Sequence, residues 1–196
     1  RLSASGIDRS ELEKTLEIEV SKVLNILSSD VYGFDNEPLE KVIGDILIDK
    51  KATLAIAESC TGGNIARVIT SVPGSSRYFT GSIVAYSNNI KSAFLGVPSS
   101  YIKENGAVSQ AVVEKMANGI LEKFKVDYAI ATSGIAGPDG GTPEKPVGTT
   151  WIAVASAGKT VSTKFLFGEH RGRNIEKATN SALNMLRKMI LQIEQV

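Results

Sequence analysis

What this 196-residue chain lacks narrows its chemistry at once. Its single cysteine, Cys60, excludes an internal disulfide and every multi-cysteine metal site. A reducing, cytoplasmic setting is the natural expectation for such a chain. Its single histidine, His170, cannot supply a histidine metal cluster, and no H-E-x-x-H occurs. Neither a Walker G-x-x-x-x-G-K-[ST] loop nor a G-x-G-x-x-G dinucleotide fingerprint is present. No apolar run approaches the roughly 18 residues of a membrane span, and no charged-then-apolar leader opens the chain, so no membrane association is expected. Charge of one sign is missing too. The 22 Lys and Arg balance 21 Asp and Glu to a net +1, without a basic run, so nucleic acid is not an expected partner. The first residue is Arg1 rather than Met, which suggests a piece of a longer protein.

What is present is enough apolar residue, 42% of the chain, to bury a core in one ordinary domain plus an extension. In 8-DRSELEKTLEIEVSKVLNIL-27, Leu12, Leu16, Val20, Val23 and Leu27 recur at helical spacing, with Asp8 or Ser10 as cap. The segment 28-SSDVYGFDNEP-38 reads as a linker. A second helix follows, with Leu39, Val42, Ile43, Ile46 and Leu47 on one face. The stripe on the first helix must pack on something: a second subunit in a homodimer, a preceding domain, or its own domain. From residue 52 onward strand-like and helix-like segments alternate. Strands are predicted near 52–57, 80–87, 127–132, 149–156 and 160–167, and helices near 63–71, 88–95, 109–125 (capped by Ser109) and 173–192. The last two strands, joined at 156-SAGK-159, form a hairpin, whereas the earlier crossovers carry helices. The expected fold is therefore a three-layer α/β/α sandwich with a mixed central sheet, preceded by an N-terminal helical extension.

Two stretches stand out as chemistry. The first is 58-ESCTGG-63, where an apolar strand leaves the core through an acid, three small polar side chains and two glycines. A helix start offers unpaired N–H groups and the positive end of a dipole, suited to an oxyanion or phosphate. Ser59 is a candidate nucleophile, but a serine hydroxyl needs a base. Lys91 in 86-YSNNIK-91 is the best-placed one, since the strand before it should end on the same sheet edge. It serves only if burial or a cationic neighbour lowers its pKa from about 10.4 towards neutrality. Tyr86 is placed to orient the amine or donate to the reacting centre. Cys60 is the rival nucleophile, although adjacent positions on a tight turn point in different directions. Glu58 is either an anchor for a backbone N–H or lysine, or the polar end of a strand. The second stretch is 133-SGIAGPDGGTPEKPVG-148, with five glycines and three prolines between two strands. Glycine permits close backbone approach to a ligand, and the prolines argue for a shaped loop. His170 is read as a solvent-facing loop residue rather than a triad member.

Together 57-AESCTGG-63, 73-PGSS-76, 86-YSNNIK-91, 94-FLGV-97, 106-GAVS-109, 132-TSGIAGPDGG-141 and 145-KPVGT-149 resemble the CinA C-terminal domain family, in family order, across residues 39–192. The resemblance implies residues 37–196 as an amidohydrolase domain and residues 1–36 as a helical extension joining it to preceding CinA domains. It implies hydrolysis of nicotinamide mononucleotide to nicotinic acid mononucleotide and ammonia, with no cofactor and no metal. On that basis Ser59 is the expected nucleophile, Lys91 its base and Tyr86 an assistant. Backbone N–H groups of Cys60, Thr61 and Gly62 are expected at the oxyanion. Thr132, Ser133 and Gly134 are expected nearest the nucleotide, with Arg171 or Arg173 at its phosphate. In 168-GEHRGRN-174 the family's usual Asp is replaced by Glu169, and an extra residue blurs which arginine applies. The competing expectations are a non-catalytic nucleotide-binding module, a competence-related interaction domain working through the first helix, and an amidase for another small amide.

Overall fold

The computed structural model of the protein describes residues 2–27, 30–34 and 37–193. The chain divides into two units, Arg1–Asn36 and Glu37–Val196. The first holds one helix, α1 (Arg9–Leu27), in which no residue is buried. Asp8 is its cap: Oδ1 accepts from the N–H groups of Ser10 at 2.8 Å and Glu11 at 3.2 Å. Of the linker read over 28–38, residues 28, 29, 35 and 36 lie outside the described residues, and the rest forms neither helix nor strand.

The second unit runs α2 (Leu39–Asp49), β1 (Leu54–Glu58), α3 (Asn64–Thr70), a single 3-10 turn (Ser75–Arg77), β2 (Phe79–Val84), α4 (Asn88–Leu95), α5 (Ser99–Asn105), α6 (Gln110–Phe124), β3 (Tyr128–Gly134), β4 (Thr149–Ser156), β5 (Lys159–Leu166) and α7 (Arg171–Ile190). The five strands order as β2-β1-β3-β4-β5. Both neighbours of β1 run parallel to it, while β4 and β5 are antiparallel. This is the mixed, helix-covered sheet that the alternation in the sequence predicts.

The two faces of the sheet are built from different residue sizes. Leu54, Ile56, Ile130, Ile152 and Val154 pack into one core with α2 and α7. Their strand neighbours Ala55, Ala57, Ala129, Ala131, Ala153 and Ala155 pack into a second core with α4, α5 and α6. Side chains alternate faces along a strand, so each apolar run places a bulky residue on one side and a methyl on the other. The methyl face makes room for Val112, Val113, Met116 and Ile120 of α6, all fully buried.

Several boundaries differ from the predicted ones. The strand expected over 80–87 ends at Val84: the Ala85 N–H makes the last bond to β1, to the Glu58 carbonyl at 2.7 Å, and also reaches back to the Ile83 carbonyl at 3.1 Å as the chain turns out of the sheet. The Ser87 hydroxyl then caps α4 by accepting from the Ile90 N–H. The last helix starts at Arg171, two residues early, with His170 as its cap: Nδ1 accepts from the Arg173 N–H at 3.3 Å. The helix α5 is an addition that the sequence pattern did not signal.

Candidate functional site

Strand β1 lies between β2 and β3, and the chain leaves it first to one side and then to the other. The crossover through α3 packs against α7 and α2, whereas the one through α4, α5 and α6 covers the opposite face. The carboxyl ends of the three parallel strands therefore frame a crevice at the point where the winding reverses, the usual ligand position in such sheets. Ser59 follows β1, Tyr86 and Lys91 follow β2, and Ser133 and Gly134 end β3.

The turn after β1 is held by an acid. Glu58 is fully buried, and its carboxylate accepts from the N–H groups of Gly63 (3.0 Å), Ile65 (3.1 Å) and Ala66 (2.9 Å). Gly62 and Gly63 take φ of 63° and 96°, values that a side chain disfavours, and this sharp reversal is what the paired glycines supply. The start of α3 is thus already neutralised by its own carboxylate. It is not the open anion site that the strand-to-helix pattern alone suggests.

Within this frame Lys91 Nζ stands 3.1 Å from Ser59 Oγ. It also donates to the carbonyls of Ala85 at 2.8 Å and Tyr86 at 3.4 Å. Lys91 is only 2% exposed and Ser59 8%. Burial lowers the Lys91 pKa from its ordinary value, against a weak opposing pull from Cys60. Three neighbours satisfy either state of the amine. An ammonium donates to all three; a neutral amine donates to the two carbonyls and offers its lone pair to the Ser59 hydroxyl. Cys60 lies beside it, but burial pushes its thiol up to about 11, so the thiolate is scarce near neutrality.

A cavity of about 240 Å³ opens on this pair. Its wall includes Cys60, Tyr86, Ser133, Gly134 and Arg171, and Ala136 of the 132–138 stretch expected to line it, together with three residues that sequence reasoning gave no role: Asn88, Ala107 and Val108. Larger grooves of about 470 Å³ and 680 Å³ elsewhere touch neither Ser59 nor Lys91. Tyr86 meets Lys91 through its backbone carbonyl. Its ring is 63% exposed at the mouth, where the hydroxyl accepts from Arg171 at 3.4 Å. The other Arg171 nitrogen donates to the Gly137 carbonyl at 2.7 Å.

Thr61, Gly62, Thr132 and Arg173, also candidates from the sequence, are absent from that wall. Thr132 and Thr61 share a buried hydrogen bond of 2.8 Å between their hydroxyls, and the Thr132 carbonyl accepts from the Ser59 N–H at 3.1 Å. These two threonines brace the turn. The Gly62 N–H is committed to the Ser59 carbonyl, whereas the Cys60 and Thr61 amides donate to no other residue among the described ones. Ser133 is on the wall, yet its hydroxyl donates to the Ala107 carbonyl at 2.7 Å. Arg173 is exposed and, two residues after Arg171 in α7, sits about 200° further round the helix. Among the described residues no group of three or more His, Cys, Asp or Glu stands together to hold a metal, and no helix is long and apolar enough to cross a membrane.

Comparison with known proteins places these features in a family context. The model of the CinA C-terminal domain matches residues 36–190. A "CinA-like protein" of Cytophaga hutchinsonii is 43% identical over 99% of this chain and 46% of its own length. One from Flavobacterium psychrophilum is 46% identical over 98% of this chain and 46% of its own length. The chain thus spans about half the length of the curated relatives it matches. Among solved structures, the competence/damage inducible protein CihA from Agrobacterium tumefaciens superposes with a TM-score of 0.77 at 34% identity, covering 81% of this chain and 98% of its own. The competence damage-inducible protein A from Klebsiella pneumoniae gives 0.76 at 33% identity, over 80% of this chain and 97% of its own.

Proposed function

The chain belongs to the CinA C-terminal domain family, and on that premise we propose that it is an amidohydrolase releasing ammonia from nicotinamide mononucleotide. The observation that carries the reading is the 3.1 Å approach of Lys91 Nζ to Ser59 Oγ inside a shielded cavity. Burial holds the lysine below its ordinary pKa, which is the condition under which an amine accepts a proton.

In the proposed reaction Ser59 Oγ gives its proton to neutral Lys91 and bonds to the carboxamide carbon. The oxyanion that forms is met by the Cys60 N–H on the cavity wall, with Thr61 behind it. Lys91 passes the proton to the departing nitrogen, the C–N bond breaks and ammonia leaves. Water then attacks the acyl-serine, again giving a proton to Lys91, and nicotinic acid mononucleotide is freed as Ser59 recovers its hydrogen. A cavity of about 240 Å³ suits the pyridine carboxamide. The ribose and phosphate are assigned to the mouth, where Arg171 is the cation on the wall and Arg173 is not, so Arg171 takes the phosphate. The exposed Tyr86 ring borders the same mouth and assists in positioning.

The test is ammonia release by the full chain from nicotinamide mononucleotide against free nicotinamide, with a chelator present. Ser59→Ala and Lys91→Ala are each expected to lower kcat about 10³-fold or more. Ser59→Ala should leave the thermal midpoint nearly where it was, and so should Lys91→Ala, where the cavity left by the truncated side chain offsets the relieved burial of the amine. Tight nucleotide binding without ammonia release by the wild type would leave a binding module in place of an enzyme.

A further inference from the structure

Lys145 takes no part in the chemistry above. It is the lone lysine of the glycine-rich loop, and among the described residues no carboxylate pairs with it. Its ammonium instead donates to two backbone carbonyls of the turn after α5, Val108 at 2.8 Å and Asn105 at 3.4 Å. Side chains hold the two carbonyls between them as well. The Ser109 hydroxyl donates to Gly106 at 2.8 Å and the Ser133 hydroxyl to Ala107 at 2.7 Å. Four successive carbonyls, 105 to 108, are therefore each bound by a side chain.

That arrangement has a consequence for the amides. In a trans peptide the N–H points away from the C=O of the same unit. The N–H groups paired with the 106 and 107 carbonyls are those of Ala107 and Val108. Both residues line the cavity shared with Ser59, and neither amide donates to another residue among the described ones. Gly106 fits the same design. Its φ is 77°, and a Cβ there would stand 3.0 Å from Lys145 Nζ, so the turn is shaped around the ammonium.

We propose that Lys145 is a positioning residue: its ammonium clamps the 105–109 turn so that the free Ala107 and Val108 amides face the cavity and recognise the oxygen of the bound substrate carboxamide, before attack carries that oxygen towards the Cys60 N–H. The proposal rests on the amidohydrolase reading of the site. It assigns substrate orientation to a wall of backbone donors, set from a loop remote in sequence. A ligand carbonyl held there keeps its carbon in line with Ser59 before attack. The clamp acts mainly on binding, so its loss should appear in KM rather than kcat.

The experiment compares wild type, Lys145→Met, Lys145→Arg and Gly106→Ala in the full chain. It measures kcat and KM for nicotinamide mononucleotide, the thermal midpoint, and amide hydrogen exchange across 105–109 without substrate. Lys145→Met is expected to raise KM about tenfold with kcat within about twofold. Exchange should quicken at 105–109 alone, and Lys145→Arg, which can still donate to both carbonyls, should recover most of the loss. Gly106→Ala, which displaces the ammonium without removing it, should raise KM in the same way. An unchanged KM in Lys145→Met overturns the proposal. So does a fall in kcat that tracks a fall in thermal midpoint, with exchange quickened throughout the sheet. Should the wild type release no ammonia from this nucleotide, the amidohydrolase reading falls and exchange alone judges the clamp: quickening confined to 105–109 upholds it, and unchanged exchange overturns it.

Discussion

At the scale of single residues, the site is governed by a charge whose burial is costly. Lys91 is buried with two carbonyls and a hydroxyl around it, and no carboxylate shares its hydrogen bonds. Desolvation therefore lowers its pKa below the ordinary 10.5. The sign of the linkage follows. Between the lowered folded-state value and 10.5, the unfolded chain binds a proton that the folded chain does not, so stability rises with pH across that window. Below it both states are protonated and the full penalty applies. Lys91→Met removes the penalty. Its gain in thermal midpoint over wild type is expected to be largest below the lowered folded-state value, and to shrink as pH climbs towards 10.5. The wild-type kcat/KM should rise over the same window as the amine loses its proton, and Lys91→Met should show no such limb. A midpoint difference that stays constant with pH would contradict the burial account.

The residue types at this site were legible in the sequence, because a serine after a strand and a lysine one turn beyond another strand are signals carried by side chains. The Ser59–Lys91 distance and the low polarity around the amine were not, since both depend on how β1 and β2 pair. The places of Ala107 and Val108 on the cavity wall were invisible for a different reason. A backbone N–H has the same chemistry whatever residue carries it, so 106-GAVS-109 matches a family pattern without announcing a role. The hydroxyls of Thr132 and Thr61 are a separate matter. Both residues are polar and adjacent to the site, yet they spend their hydroxyls on each other.

At the scale of elements, caps and periodicity placed most helices well. Ser109 accepts from Val112 at the start of α6, as its position implied. The misses have local causes: α5 is only seven residues long and bounded by Pro98 and Gly106, too short to show a period. What fixes the elements against one another is close approach, and α4 against α6 is the tightest case. A Cβ on Gly119 of α6 would sit 1.9 Å from the Leu95 carbonyl oxygen at the end of α4. On an exposed helix, Gly→Ala would stabilise by about 1 kcal/mol. Here the contact is with backbone, which cannot swing aside, and overpacking of this kind costs about 1–3 kcal/mol. Gly119→Ala is therefore expected to lower the thermal midpoint by about 2–12 °C. Because α4 carries Lys91, the variant should also lose turnover with little change in KM. A raised midpoint would show that helix propensity outweighs the contact.

At the scale of the whole molecule, the division into two units bears on where activity resides. Every residue on the cavity wall lies in Glu37–Val196, as do both hydrophobic cores. The helix α1 buries none of its residues, and its ion pairs, Arg9–Glu13 and Lys22–Glu19, are exposed pairs worth a few tenths of a kcal/mol at most, about 0.3–0.5 each on a helix. Removing residues 1–36 is therefore expected to leave kcat and KM for nicotinamide mononucleotide within about twofold of the full chain. The thermal midpoint should hold as well, because no buried apolar surface is lost from α1. The assay is ammonia release by the truncated and full chains at equal concentration, with light scattering to compare their masses. A loss of more than about tenfold would mean that residues 1–36 complete the site or stabilise its active form, and the dyad alone would no longer account for the activity.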